Sequence, residues 1–197
     1  MKNVKGLVLA GGQSSRMKQD KASLQFHGKS LREIAAAALS PWAEEVYLSL
    51  RYGQSVFAWD PDLLIYDELS DIGPAAALLA AHKLFPESAW LVLACDFPFV
   101  TEDAVGSLWK AHSGSHGNPV GSLVTCFQHP DETPEPLFAI WQPAAFVKLK
   151  ENVSRGIQGP LQTLKQCLPT LIVPENPQWL RNTNTPEEWA EALRLKK

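Results

Sequence analysis

Cysteine is scarce in this chain of 197 residues, and its three copies, Cys95, Cys126 and Cys167, stand far apart. No Cys-x-x-Cys spacing offers a zinc site and an odd count argues against a disulfide framework, so reduced thiols in a cytoplasmic protein are expected. No apolar run approaches the ~20 residues of a membrane span. The opening Met-Lys-Asn-Val-Lys-Gly carries no charged-then-apolar leader. Charge is also sparse: 20% of residues are charged, with a formal net charge of -3, which gives no field to draw in nucleic acid or an anionic membrane. Neither is expected as a partner. The familiar catalytic signatures are missing too, with no Gly-x-Ser-x-Gly elbow and no His set beside a Cys or Ser for a triad.

What the chain does have is concentrated near its start. Residues 4–10 form a short, β-branched apolar run suited to a buried parallel strand, and the run stops at Gly11-Gly12. In the loop that follows, two glycines let the backbone approach a ligand, Ser14 and Ser15 offer hydroxyls, and Arg16, Lys18 and Lys21 bring positive charge. Such a loop suits a polyphosphate. It is not the Gly-x-Gly-x-x-Gly of dinucleotide folds, and the Gly28-Lys29-Ser30 triplet is no Walker A loop, because Ser23 occupies the place of its first glycine. The competing reading is a solvated strand-to-helix loop.

With 45% hydrophobic residues the chain reads as one compact domain over residues 1–197. Apolar runs predict strands at residues 46–50, 63–66, 90–94, 123–127, 137–141 and 171–173. Helices are expected from Ser30, with Glu33 completing a capping box, to residue 38, and then over residues 75–84, 101–111, 144–151 and 160–167. A last helix follows Thr185, Pro186 and Glu188. Residues 112–121 read as a loop with solvated His112 and His116, and residues 129–136 as a proline-rich acidic connection. This alternation implies a three-layer α/β/α fold with a mainly parallel, Rossmann-like sheet. Asp67 and Asp96 then fall at the carboxyl ends of strands, where open α/β sheets bind ligands. For Asp67, Asp96, Asn182 and Asn184, ordinary turn chemistry is the alternative.

The run Leu9-Ala10-Gly11-Gly12-x-Ser14-x-Arg16-Met17, followed by Asp20-Lys21-Ala22, resembles the signature loop of the molybdenum-cofactor guanylyltransferases. So do Gly73-Pro74, Cys95-Asp96-Phe97-Pro98, the stretch from Glu135 to Ala139, and Asn182-Thr-Asn184-Thr-Pro-Glu. One position departs: Lys18 stands where that family usually has glycine. The resemblance implies a nucleotide-diphospho-sugar transferase-like fold and transfer of GMP from GTP to the terminal phosphate of the molybdenum cofactor (molybdopterin). It implies Mg2+ held by Asp96, phosphates held by Arg16 and Lys21, and a nucleotide bound along Leu9, Ala10, Gly11, Gly12, Lys21, Asp67 and Asp96. Asn182 and Asn184 would bind the acceptor, and cofactor-carrier or molybdoenzyme-maturation proteins would be partners. In that family glycine at position 11 goes with guanine, since a methyl group there is expected to crowd the larger purine. Two alternatives remain: a relative that uses CTP or a sugar phosphate, and a non-catalytic nucleotide-binding module whose loop Lys18 has spoiled.

Overall fold

The computed structural model describes residues 4–11, 21–56, 58–69, 71–114 and 122–195. In chain order its elements are β1 (Val4–Leu9), the small hairpin β2 (Gln25–Phe26) and β3 (Lys29–Ser30), α1 (Leu31–Leu39), β4 (Val46–Arg51) and β5 (Leu64–Asp67). Then come α2 (Pro74–Leu84), β6 (Ala89–Ala94), α3 (Glu102–Ser113), β7 (Val124–Gln128) and β8 (Pro134–Trp141). The remainder is α4 (Pro143–Ser154), α5 (Pro160–Lys165), β9 (Thr170–Ile172) and α6 (Pro186–Arg194). The main sheet has seven strands in the order β5-β4-β1-β6-β8-β7-β9. Every neighbouring pair is parallel except the two made by β8.

The sheet is buried on both faces because its strands are apolar at successive positions and side chains alternate between faces. On β6, Leu91 and Leu93 enter the core beneath α1 and α3, whereas Trp90 and Val92 enter the core beneath α2 and α4. Trp90 lies opposite Trp141 of β8 in the antiparallel register, and both are fully buried. Full burial of Leu91, Val92 and Leu93 contributes about 1.5–3 kcal/mol for each side chain. Local chemistry fixes where helices begin. Ser30 and Glu33 form a complete capping box at α1, Thr185 and Glu188 form another at α6, and the Thr101 hydroxyl accepts from Ala104 N at α3. All three cysteines are buried thiols outside any disulfide. No helix among the described residues is long and apolar enough to cross a membrane.

The structure corrects the sequence reading in three places. The connection expected over residues 129–136 is shorter, since β8 already begins at Pro134. Pairing with β6 starts only at Phe138, so the first half of β8 overhangs its neighbour with one side open, where prolines cost no ladder bond. His112 is not a solvated loop residue: it sits in the last turn of α3, with Nδ1 on Thr125 Oγ1 at 3.1 Å and Nε2 on Gln142 at 2.9 Å. Burial pushes its pKa down. His116 lies outside the described residues. The β2–β3 hairpin was not anticipated; it turns through His27 and Gly28, both at positive φ, so the Gly28-Lys29-Ser30 triplet serves as a turn and a helix cap.

Candidate active site

The carboxyl ends of β1, β4, β5 and β6 open into a cleft of about 1200 Å³. Parallel strands place their carboxyl ends on one edge, so residues far apart in sequence meet there. Leu9, Ala10 and Gly11 leave β1, Asp67 ends β5, and Asp96 follows β6; all line the cleft, together with Lys21 and Asn184. The start of α2, at Gly73, Pro74, Ala76 and Ala77, forms a wall of small side chains. Gly12 and Arg16 lie outside the described residues.

Lys21 is the point of convergence. Its Nζ donates to Asn184 Oδ1 at 2.9 Å and lies 3.4 Å from Asp96 Oδ2. The two side chains of the ion pair are only 13% and 23% exposed, so the pair is screened far less than one at the surface. Burial raises the pKa of Asp96; the Lys21 ammonium opposes that shift and the charge of Glu135 reinforces it. The segment bearing Asn184 is pinned in place, since Thr183 N donates to Asp96 O at 3.0 Å and Asn184 N donates to the Glu188 carboxylate of the α6 capping box. Asn182 faces a different space, an adjoining cavity of about 280 Å³ that Asp96 also lines. The two asparagines therefore flank the same aspartate from neighbouring cavities.

At the other end of the cleft, Ser49 Oγ donates to Asp67 Oδ1 at 2.8 Å. Burial raises the Asp67 pKa, against the Ser49 hydrogen bond and the Arg51 charge. A Cβ added at Gly11 would lie 3.0 Å from Arg51 N and 3.3 Å from Asp67 Oδ2. The atoms a methyl group would meet first are thus the protein's own, those of Arg51 and Asp67. The side chain of Gln54 ties these parts together, donating to Ala10 O at 3.2 Å and accepting from Arg51 N at 3.2 Å. Ser49, Tyr52 and Gln54 were not among the expected site residues. Ser49 left a signal, a lone hydroxyl inside an apolar strand, whereas Gln54 left none, because only the fold brings it to β1.

Among the described residues no group of three or more His, Cys, Asp or Glu is arranged to hold a metal ion. Asp96 alone still fits magnesium, a hard cation that accepts one or two carboxylates and takes its other ligands from phosphate oxygens and water.

A mainly parallel sheet whose carboxyl edge opens into a cleft of this size, with a lysine and an aspartate meeting in it, is an arrangement that suits a nucleotidyltransferase. The family model described as MobA-like NTP transferase domain matches residues 6–171, and the chain belongs to that family. A molybdenum cofactor guanylyltransferase of Pseudomonas fluorescens is 29% identical over 185 residues, covering 92% of this chain and 89% of that protein. A molybdenum cofactor biosynthesis bifunctional protein of Synechocystis sp. is 28% identical over 192 residues, covering 94% of this chain; the chain spans about half of its length, 52%. Among solved structures, molybdopterin-guanine dinucleotide biosynthesis protein A from Archaeoglobus fulgidus superposes with a TM-score of 0.75 at 23% identity, over 98% of both chains. The 2-C-methyl-D-erythritol 4-phosphate cytidylyltransferase of Thermus thermophilus gives 0.68 at 16% identity, over 96% of this chain and 97% of that one. At these identities the solved structures share the fold.

Proposed function

We propose that the chain acts as a single guanylyltransferase domain, passing GMP from magnesium-bound GTP to the terminal phosphate of the molybdenum cofactor and releasing pyrophosphate. The observation that carries this reading is the meeting of Lys21, Asp96 and Asn184, from three separate stretches, within the nucleotide-sized cleft. An oxygen of the acceptor phosphate forms a bond to the α-phosphorus of GTP as the bond to the β-phosphate oxygen breaks, and pyrophosphate leaves with that electron pair. The acceptor phosphate is ionised near neutral pH, so positioning and charge neutralisation carry the rate and no general base is needed.

In this scheme Lys21 and Arg16 neutralise the phosphates, Arg16 through its two-pronged guanidinium. Leu9, Ala10, Gly11 and Gly12 present backbone to the nucleotide, and Asp67 meets its base. Asp96 holds magnesium, which would supply Lewis-acid stabilisation of the charge building on the phosphates. Asn182 and Asn184 orient the acceptor. Gly11 favours guanine by leaving Asp67 and Arg51 where a purine needs them. Cofactor-carrier or molybdoenzyme-maturation proteins receive the product.

The test is pyrophosphate release from GTP with a molybdopterin acceptor and Mg2+. Release that requires all three components, with CTP a poor substitute, is the expected result. A preference for CTP would move the protein to the cytidylyl relatives. Tight GTP binding without turnover on any pterin acceptor would make it a binding module.

A further inference from the structure

The second cavity, of about 280 Å³, shares Ala94, Asp96 and Leu137 with the nucleotide cleft. It is too small for a nucleotide and of a size for one fused ring system. Its far wall is the overhanging start of β8, and there Glu135 is held with unusual care. Glu135 Oε1 accepts from Leu137 N and Oε2 from His129 Nε2, each at 2.9 Å, and the side chain is only 12% exposed. The His129 pKa is raised by this hydrogen bond. A carboxylate has about four lone-pair sites, so two such bonds fix its orientation and leave it able to accept more. Pro134, Pro136 and Leu161 supply flat apolar contact, and Asn182 offers an amide.

We infer that this cavity binds the ring of the acceptor, with the Glu135 carboxylate, oriented by His129 and Leu137 N, accepting from the paired N–H groups of an aminopyrimidinone edge. Two parallel donors match a carboxylate in the manner of a guanidinium. With the ring seated against Glu135, the acceptor's phosphate comes to the cleft at Asp96, the residue both cavities share. This inference rests on the proposal that the acceptor is a pterin phosphate. It adds which part of that acceptor lies where, and which residue reads it.

The test uses the whole chain and two probes, 6-hydroxymethylpterin, which has the ring and no phosphate, and inorganic phosphate. Wild-type protein should quench pterin fluorescence saturably. Glu135→Gln, which turns an amide donor toward donors, should weaken that binding about 10-fold or more, as loss of a charged hydrogen bond does. His129→Gln, which keeps the carboxylate but unpins it, should weaken it less. Both variants should keep wild-type thermal stabilisation by GTP, which shows that the fold and the cleft are intact. Absence of pterin binding, equal binding by wild type and Glu135→Gln, or displacement of the pterin by phosphate would overturn the assignment. In turnover the acceptor KM should rise in Glu135→Gln with kcat less affected. If pterin binds in a Glu135-dependent way but GMP is never transferred, the proposed function fails and this site stands; if transfer proceeds with an unchanged acceptor KM, the reverse holds.

Discussion

Lys21 reaches an anion and an amide at once. In the proposed reaction, replacing it by alanine removes the cation that would face the developing negative charge, and it leaves the half-buried Asp96 carboxylate without its counter-ion. Pyrophosphate release by Lys21→Ala should fall about 10²–10³-fold, the loss typical of one electrostatic group in a transition state. A fall of only a few-fold would take Lys21 out of the chemistry. Asp67 makes a prediction of a different kind. Its pKa is raised chiefly by burial, so the carboxyl contributes stability below its unfolded pKa, and that contribution is lost as pH rises through the higher folded value. Asp67→Asn cannot ionise and keeps an oxygen for Ser49. The ligand-free variant should therefore melt above wild type at pH 7, and the difference should shrink as pH falls through the raised pKa. Guanidinium melts at several pH values decide this, and a variant less stable than wild type at pH 7 would show that the Ser49 and Arg51 interactions outweigh burial.

At the scale of elements, α6 does more than cover a core. The Glu188 carboxylate in its first turn accepts from Thr185 N at 3.0 Å and from Asn184 N, so the cap that starts the helix also sets the residue bonded to Lys21. Glu188→Ala should cost about 1 kcal/mol of stability. That corresponds to about 2–4 °C in melting temperature for a chain of this size, and kcat should fall with it. A melting loss with unchanged kcat would confine Glu188 to helix capping. Both capping boxes were legible in sequence because a cap and its acid lie three residues apart, and apolar runs gave the strands for the same reason of locality. What could not be read there depends on the third dimension. The start of β8 was hidden by prolines that only an overhanging strand tolerates, and the surroundings of His112 come from β7 and the residue before α4. Asn182 and Asn184, two residues apart, read as one acceptor pair, yet they line adjoining cavities because Asp96 stands between those spaces.

For the whole molecule, the cleft is built from segments spread along the chain from Leu9 to Asn184, so a ligand that fills it ties together the same segments that unfolding separates. Anything that binds only the native state must stabilise it, by about 2.7 kcal/mol at 100 times its Kd. GTP at that excess should raise the melting temperature by roughly 5–10 °C, with a further increment when Mg2+ is added. Two variants separate the contributions. Lys21→Ala should lose most of the shift with or without magnesium, since it lacks the cation proposed to meet the phosphates. Asp96→Asn removes a half-buried charge and keeps the lysine, so it should retain stabilisation by GTP alone and lose the increment that depends on magnesium. Were Asp96→Asn to keep that increment, the metal would be held elsewhere, and the pairing of Lys21 with Asp96 would be a structural ion pair beside the cleft rather than its working centre.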